Sequence, residues 1–97
     1  MGVYVVLATL TAEGRKVVRD DPERIKKVNG EVERMGVKIV SQYALLGPYD
    51  FVNIVQADSD EVIAKAAIKV TAGGKLEVMT LPAIPIDKFI ENMKRQD

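Results

Sequence analysis

Apolar side chains dominate four short segments of the sequence, and each segment has the length of a β-strand. Residues 3–10 (VYVVLATL) are apolar or β-branched at nearly every position, which is typical of a strand covered on both faces. Gly36 and Gly74 directly precede two of the three later runs, and the pair Gly47-Pro48 lies shortly before the other. The sequence therefore predicts strands at residues 3–10, 37–46, 51–57 and 75–81, the last of them closed by Pro82.

Helical spacing of apolar residues fills the segments between these strands. Asp21 is predicted to cap a helix whose first position is Pro22, and an apolar stripe follows up to Gly36. The acidic residues 58–61 (DSDE) predict a second helix start, with Asp58 or Ser59 as the cap.

Two further segments complete the pattern. Residues 11–21 (TAEGRKVVRDD) are compatible with a loop or a short helix, and Gly14 weakens any longer helix. Residues 85–95 carry an apolar stripe that predicts a last helix.

The element order is β-α-β-β-α-β with an extra C-terminal helix, which predicts an α+β, ferredoxin-like fold. Residues 1–97 are expected to form a single domain of this kind. Right-handed crossovers place both long helices on one face of the sheet. Because strand alternation leaves the other face largely apolar, the sequence predicts a second copy packed sheet to sheet, as in a dimeric α/β barrel.

Composition and charge remove several classes of function. The 14 basic and 14 acidic residues cancel, so nothing predicts a nucleic-acid or a membrane surface. The chain has no cysteine and no histidine, which excludes disulfides, thiolate nucleophiles and Cys/His zinc sites. No metal or other cofactor is expected, and a cytoplasmic location is the default expectation.

The segment Gly47-Pro48-Tyr49-Asp50 is the candidate with the most chemical character. Proline presets the turn between two antiparallel strands, and Asp50 can accept backbone N–H groups where the next strand begins. Alternatively, Tyr49 and Asp50 form the polar rim of a ligand pocket or of a subunit contact.

A few other polar side chains are candidates for an internal site. Tyr4 and Asn53 are the preferred cavity residues among the polar-capable positions of the strands. Arg15 or Arg24 can pair with a carboxylate ligand or with Asp50, although an exposed surface arginine is the alternative. The remaining polar-capable strand residues are Gln42, Tyr43 and Thr80.

Three segments resemble the GYD family: YVVLATLTAEG at the start, DPER before the first long helix, and LGPYDFVNIVQA around the hairpin. The resemblance extends over residues 4 to about 84, and it implies ferredoxin-like protomers whose sheets face each other. A polar T-E-T segment expected from the family pattern is replaced here by Val78-Met79-Thr80. Related barrels are cofactor-free monooxygenases or isomerases, or effector-binding domains that bind amino acids at subunit contacts. Those effector-binding domains have a similar G-x-Y-D hairpin.

The sequence and the resemblance together favour a non-catalytic module that binds a small ligand or a partner protein as a homo-oligomer. The expected small molecule is an amino acid or an aromatic acid, held by Tyr49, Asp50, Tyr4, Asn53 and Arg15. The alternative is a cofactor-free enzyme acting on a small apolar substrate, with Asp50 as base and Tyr49 as hydrogen-bond donor. A scaffold that only assembles is a third interpretation.

Overall fold

The structure, a computed structural model, describes residues 1–95. This part of the chain forms one four-stranded antiparallel sheet and four helices, which confirms the predicted α+β class. The strand order β2-β3-β1-β4 is consistent with a ferredoxin-like arrangement. The strands are β1 (Gly2–Leu10), β2 (Lys38–Ala44), β3 (Phe51–Ala57) and β4 (Leu76–Ala83). The helices are α1 (Ala12–Asp20), α2 (Arg24–Arg34), α3 (Asp60–Thr71) and α4 (Ile86–Lys94).

The segment that was compatible with a loop or a helix forms the helix α1. The Thr11 hydroxyl caps it by accepting the N–H of Gly14 at 3.1 Å, and donates to the Gly74 carbonyl at 2.8 Å. Gly14 lies where α1 touches the start of β4, because a Cβ added there would stand 1.9 Å from the Lys75 carbonyl oxygen. Gly14 is therefore required for close packing and does not end the helix.

The predicted start of the first long helix at Asp21 and Pro22 is wrong. The Asp21 N–H donates to the Val17 carbonyl, which ends α1, and the Asp21 carbonyl accepts the N–H of Arg24. α2 begins at Arg24 after Glu23, which makes no side-chain capping bond. Because α1 already uses the Asp21 backbone, residues 21–23 form a tight turn between two helices. The predicted cap at Ser59 is confirmed, since its Oγ accepts the Val62 N–H at 3.3 Å.

Strand β2 contains a bulge that simple alternation did not predict. Val40 is an extra residue, so the pairing with β3 shifts between Ile39 and Ser41. Strict alternation along β2 would place Ile39 on the face that carries Ser41 and Tyr43. Ile39 instead lies on the helix-covered face together with Gln42.

Strand β4 continues past its predicted end at Pro82 and reaches Ala83. Pro82 lies opposite Tyr4 of β1, and β4 is an outer strand of the sheet. An outer strand tolerates proline because only one of its edges is hydrogen-bonded. Strand β2 is shorter than predicted and ends at Ala44, which leaves residues 45–50 as the hairpin connection.

Helices cover one face of the sheet and leave the other face exposed. The buried core lies beneath the helices and includes Tyr4, Val37, Val55 and Ile63. The opposite face, called the uncovered face below, stays open although most of its side chains are apolar. Tyr43 on this face is 62% exposed, and Met79 is 47% exposed. The larger apolar residues of the uncovered face are Val3, Val5, Leu7, Tyr43, Val52, Ile54, Met79 and Leu81, and its polar residues are Thr9, Lys38, Ser41, Gln56 and Glu77.

Candidate functional site

A cavity of about 310 Å³ lies between the sheet and the helices. Small side chains leave this space open, among them Ala8 on β1 and Ala66 and Ala67 on α3. The cavity is a cleft that is partly open to solvent, because Glu31 and Lys69 in its lining are exposed. Its volume and its mostly apolar lining match those of small-molecule pockets.

A chain of three amide side chains crosses the floor of the cavity. Asn29 of α2 and Gln42 of β2 form two hydrogen bonds: Asn29 Nδ2 donates to Gln42 Oε1 at 2.8 Å, and Gln42 Nε2 donates to Asn29 Oδ1 at 3.0 Å. Gln42 Nε2 also donates to Asn53 Oδ1 at 2.7 Å, and Asn53 Nδ2 donates to the Val6 carbonyl at 3.2 Å. The chain therefore ties helix α2 to three strands of the sheet.

The amide chain leaves hydrogen-bonding capacity for a ligand. Each side-chain amide has two N–H donors, and both donors of Gln42 are used within the chain. Asn29 and Asn53 each use one donor in it and keep a second N–H. Because both residues line the cavity, the arrangement can bind a carbonyl or a carboxylate oxygen of an apolar molecule.

Sequence reasoning found part of this constellation. Asn53, Gln42 and Thr80 were candidates, and all three line the cavity. Asn29 was missed, although its place four residues after Ile25 on the apolar side of a helix was an available signal. Arg24, also a candidate, lines the cavity from the first turn of α2.

Asp50 lies outside the cavity, at the junction of the hairpin and the sheet. Its Oδ2 accepts the Leu10 N–H at 2.7 Å, and its own N–H donates to the Ala8 carbonyl at 2.8 Å. The Leu45 N–H donates to the Asp50 carbonyl at 2.8 Å. These bonds give Asp50 the turn-acceptor role that the sequence allowed, and its ligand-binding role stays a prediction.

Arg15 and Tyr49 are also placed outside the cavity lining. Arg15 Nη1 donates to the Leu10 carbonyl at 2.9 Å, so Arg15 and Asp50 bind opposite groups of the same residue. Tyr49 is half-buried beside Asp50 in the hairpin. The pairing of Arg15 or Tyr49 with a ligand stays a prediction.

Tyr4 lies in the core and not in the cavity lining. It is only 4% exposed, and its hydroxyl donates to Asp60 in the first turn of α3. That hydrogen bond raises the pKa of Tyr4, with smaller contributions from burial and from the negative charges of Asp60 and Glu61. The contact fastens the start of α3 to β1, which is a structural role.

The five predicted site residues therefore do not converge on one place. Asn53 lines the cavity, and Tyr4 lies in the core under α3. Asp50 and Arg15 both bind Leu10, and Tyr49 lies in the hairpin beside Asp50. No helix within residues 1–95 is long and apolar enough to cross a membrane.

The antiparallel four-stranded sheet with helices on one face makes this an α+β protein, and its strand order is consistent with the ferredoxin-like type. The chain belongs to the GYD domain family, whose model matches residues 4–93. This match confirms the family that the three resembling segments indicated.

Two similar proteins come from the same strain of Thermus thermophilus. One is a "Glutamine synthetase and cystathionine beta-lyase binding protein", 46% identical over 95 residues, which cover 97% of this chain and all of that protein. The other is TTHA0845, whose crystal structure aligns with 88% of this chain and 95% of its own, with a TM-score of 0.56. At 18% identity the second likeness supports the fold alone.

Proposed function

We propose that this protein is a non-catalytic protein-binding module that works as a homodimer assembled through the uncovered face. The observation that carries the proposal is the apolar surface left open by the fold, with Tyr43 62% exposed. An open surface of this kind marks an interaction site in folded proteins. The same surface on two copies is self-complementary, as a two-fold interface requires.

The name of the 46% identical Thermus thermophilus protein suggests which proteins this chain binds. Its name states that it binds glutamine synthetase and cystathionine β-lyase, and its similarity to this chain extends over 97% of the present sequence. We therefore propose the same two enzymes as partners here. The balanced charge of the chain, 14 basic and 14 acidic residues, agrees with a protein partner better than with a polyanion.

Purified components test this function directly. The chain is mixed with glutamine synthetase and, separately, with cystathionine β-lyase from the same organism, and binding is followed by biolayer interferometry. Light scattering of the chain alone gives its mass. We expect a dimer that binds at least one enzyme, whereas a strict monomer at micromolar concentration, or no binding to either enzyme, contradicts the proposal.

The cavity favours a second candidate, the binding of a small apolar acid. Asn29 and Asn53 offer N–H donors inside an apolar space of about 310 Å³. The geometry favours binding over a cofactor-free reaction, because Asp50 does not line the cavity and Glu31, a carboxylate that does, is exposed. Amino acids and aromatic acids are the proposed ligands.

Two alanines of helix α3 provide a matched pair for this second candidate. Ala67 lines the cavity, whereas Ala64 is exposed. Ala67→Leu is expected to fill the space and abolish the thermal shift produced by leucine, benzoate or phenylacetate, while Ala64→Leu retains it. If none of these acids shifts the melting temperature of the wild-type protein, ligand binding of this class is excluded.

A further inference from the structure

The charged residues that line the cavity are unevenly distributed along it. Arg24 is the first residue of α2 and Lys69 lies in the last turn of α3, and both are exposed lining residues. Glu31, a carboxylate of the lining, lies seven residues after Arg24, or about 10.5 Å further along the axis of α2. The directions of the two helices decide whether the two basic residues share one end of the cavity.

Helix α2 runs away from the Leu10 end of β1. It is followed closely by β2, whose first residue, Lys38, pairs with Gln56 of β3. Gln56 pairs in turn with Val3, at the opposite end of β1 from Leu10. Because α2 ends near Val3, its first residue, Arg24, lies towards Leu10.

Helix α3 runs in the opposite direction and ends beside the last residue of β1. Its first turn is fastened to Tyr4, near the start of β1. The Gly74 carbonyl, just after α3, accepts the Thr11 hydroxyl at 2.8 Å, and Thr11 directly follows β1. Lys69 in the last turn of α3 therefore lies towards the same end of the cavity as Arg24. This end is called the basic end below.

Neither basic residue is neutralised by a salt bridge within residues 1–95. Both salt bridges found in this part of the chain involve other residues, namely Arg19, Asp20, Lys27 and Asp21. Arg24 also lies at the N-terminus of α2, where the helix dipole favours a negative charge, and the first turn of α2 contains no acidic residue. A carboxylate bound at the basic end would therefore interact favourably with Arg24, with Lys69 and with the start of α2.

The amide chain lies deeper in the cavity than the basic end. Asn29 is five residues after Arg24, or about 7.5 Å further along α2. Asn53 lies opposite Val6, four residues before the end of β1. An apolar stretch of the lining, which includes Ala8, separates the basic end from the unused N–H donors of the two asparagines.

We propose that the cavity binds an apolar carboxylate that has a second, uncharged oxygen acceptor at its far end. Arg24 and Lys69 hold the carboxylate at the basic end, where the guanidinium can bind it with two parallel N–H bonds. The apolar body of the ligand passes over Ala8, and Asn29 and Asn53 donate to the far oxygen. This inference rests on the small-acid binding of the proposed function, and it names the class of acid and its orientation.

Two matched acids test the far oxygen. 4-Hydroxyphenylacetate and 4-methylphenylacetate have nearly the same shape, but only the first has an oxygen opposite its carboxylate. Isothermal titration calorimetry with the wild-type chain is expected to show at least about fivefold tighter binding of the hydroxyl compound, which is the effect of about one hydrogen bond. Asn29→Ala and Asn53→Ala, each checked for folding by circular dichroism, are expected to lower this preference at least about twofold.

Replacement of Arg24 tests the basic end. Arg24 is exposed, so its side chain can be changed without disturbing the core. Arg24→Gln is expected to weaken the binding of both acids about fivefold or more and to leave the preference for the hydroxyl compound unchanged. Lys26→Gln, at an exposed residue of α2 outside the cavity lining, is the matched control and should keep the wild-type affinity within about twofold.

The outcomes separate this inference from the binding of small acids in general. Equal affinity of the wild-type chain for the two acids, or an affinity that Arg24→Gln leaves unchanged, overturns the inference while small-acid binding still stands. Absence of binding by both acids also overturns it. If leucine, benzoate and phenylacetate likewise produce no thermal shift, the small-acid binding of the proposed function fails as well.

Discussion

Asp50 and Leu10 are joined across the sheet by a charged hydrogen bond, with Asp50 Oδ2 accepting the Leu10 N–H at 2.7 Å. The bond ties the start of β3 to the last residue of β1, two strands that pair side by side. Arg15 donates to the carbonyl of the same residue at 2.9 Å. The hairpin aspartate and the first-helix arginine therefore fix the end of β1 from both of its backbone groups.

Replacement of Asp50 is expected to weaken the fold. Asp50→Ala leaves the Leu10 N–H without its acceptor, and the loss of a bond to a charged group costs roughly 1–3 kcal/mol. Urea unfolding measures the change in the free energy of unfolding. Asp58→Ala, at an exposed carboxylate, is the control and should change that free energy by less than about 0.5 kcal/mol. Equal stability of the two variants would contradict the turn-acceptor role.

Gly14 is expected to tolerate no side chain. The Cβ of Gly14→Ala would lie 1.9 Å from the Lys75 carbonyl oxygen, so α1 must move away from β4. Overpacking of this kind costs about 1–3 kcal/mol or more. Gly73→Ala is the matched control, because its added Cβ meets nothing within 4 Å. Thermal unfolding of both variants checks the prediction, which fails if Gly14→Ala melts at the same temperature as Gly73→Ala.

The bond between Tyr4 and Asp60 predicts a loss of stability at high pH. The hydrogen bond to Asp60 raises the pKa of Tyr4 above its ordinary value of 10.0. Since the pKa is higher in the folded state, the stabilisation is complete below pH 10 and is lost as the pH rises through the folded-state value. Tyr4→Phe should remove this part of the pH dependence of unfolding above pH 10. Tyr43→Phe, at an exposed residue, should keep it.

The amide chain is expected to behave as one cooperative unit. Gln42→Ala removes the partner of both Asn29 and Asn53, whereas Asn29→Ala removes one end of the chain. A double-mutant cycle should therefore give a coupling energy of at least about 0.5 kcal/mol between Gln42 and Asn29. Additive changes in the free energy of unfolding would show that the amides act independently.

The fold was largely predictable because its strands are strongly apolar and its turns contain glycine or proline. The errors occur where a tertiary contact outweighs a local preference. Asp21 has the side chain of a helix cap, but its backbone already ends α1. Pro82 normally closes a strand, but the outer edge of the sheet accepts it. Val40 forms a bulge that changes the alternation of β2, and no glycine or proline in the strand indicates this bulge.

The candidate site was less predictable because it depends on contacts between distant elements. Asn53 and Gln42 were found from alternation along the strands, but Asn29 reaches them from a helix. Tyr4 was a preferred cavity residue, but its contact with Asp60 at the start of α3 makes it part of the core. Asp60 and Tyr4 are 56 positions apart in the sequence, and no local pattern links them.

The uncovered face supplies the last prediction. Ile54 lies near its centre, opposite Val5 of β1, and a sheet-to-sheet dimer would bury it. In wild-type protein the melting temperature should rise with protein concentration, because dimer formation stabilises the folded state by mass action. Ile54→Lys should abolish that dependence, since a lysine ammonium cannot be buried unpaired between two sheets.

Two controls accompany this variant. The circular dichroism spectrum of Ile54→Lys should stay that of the folded chain, because in a monomer this face meets water. Lys65→Glu on the helical side is the control and should keep the concentration dependence. A wild-type melting temperature that is independent of concentration would contradict the dimer.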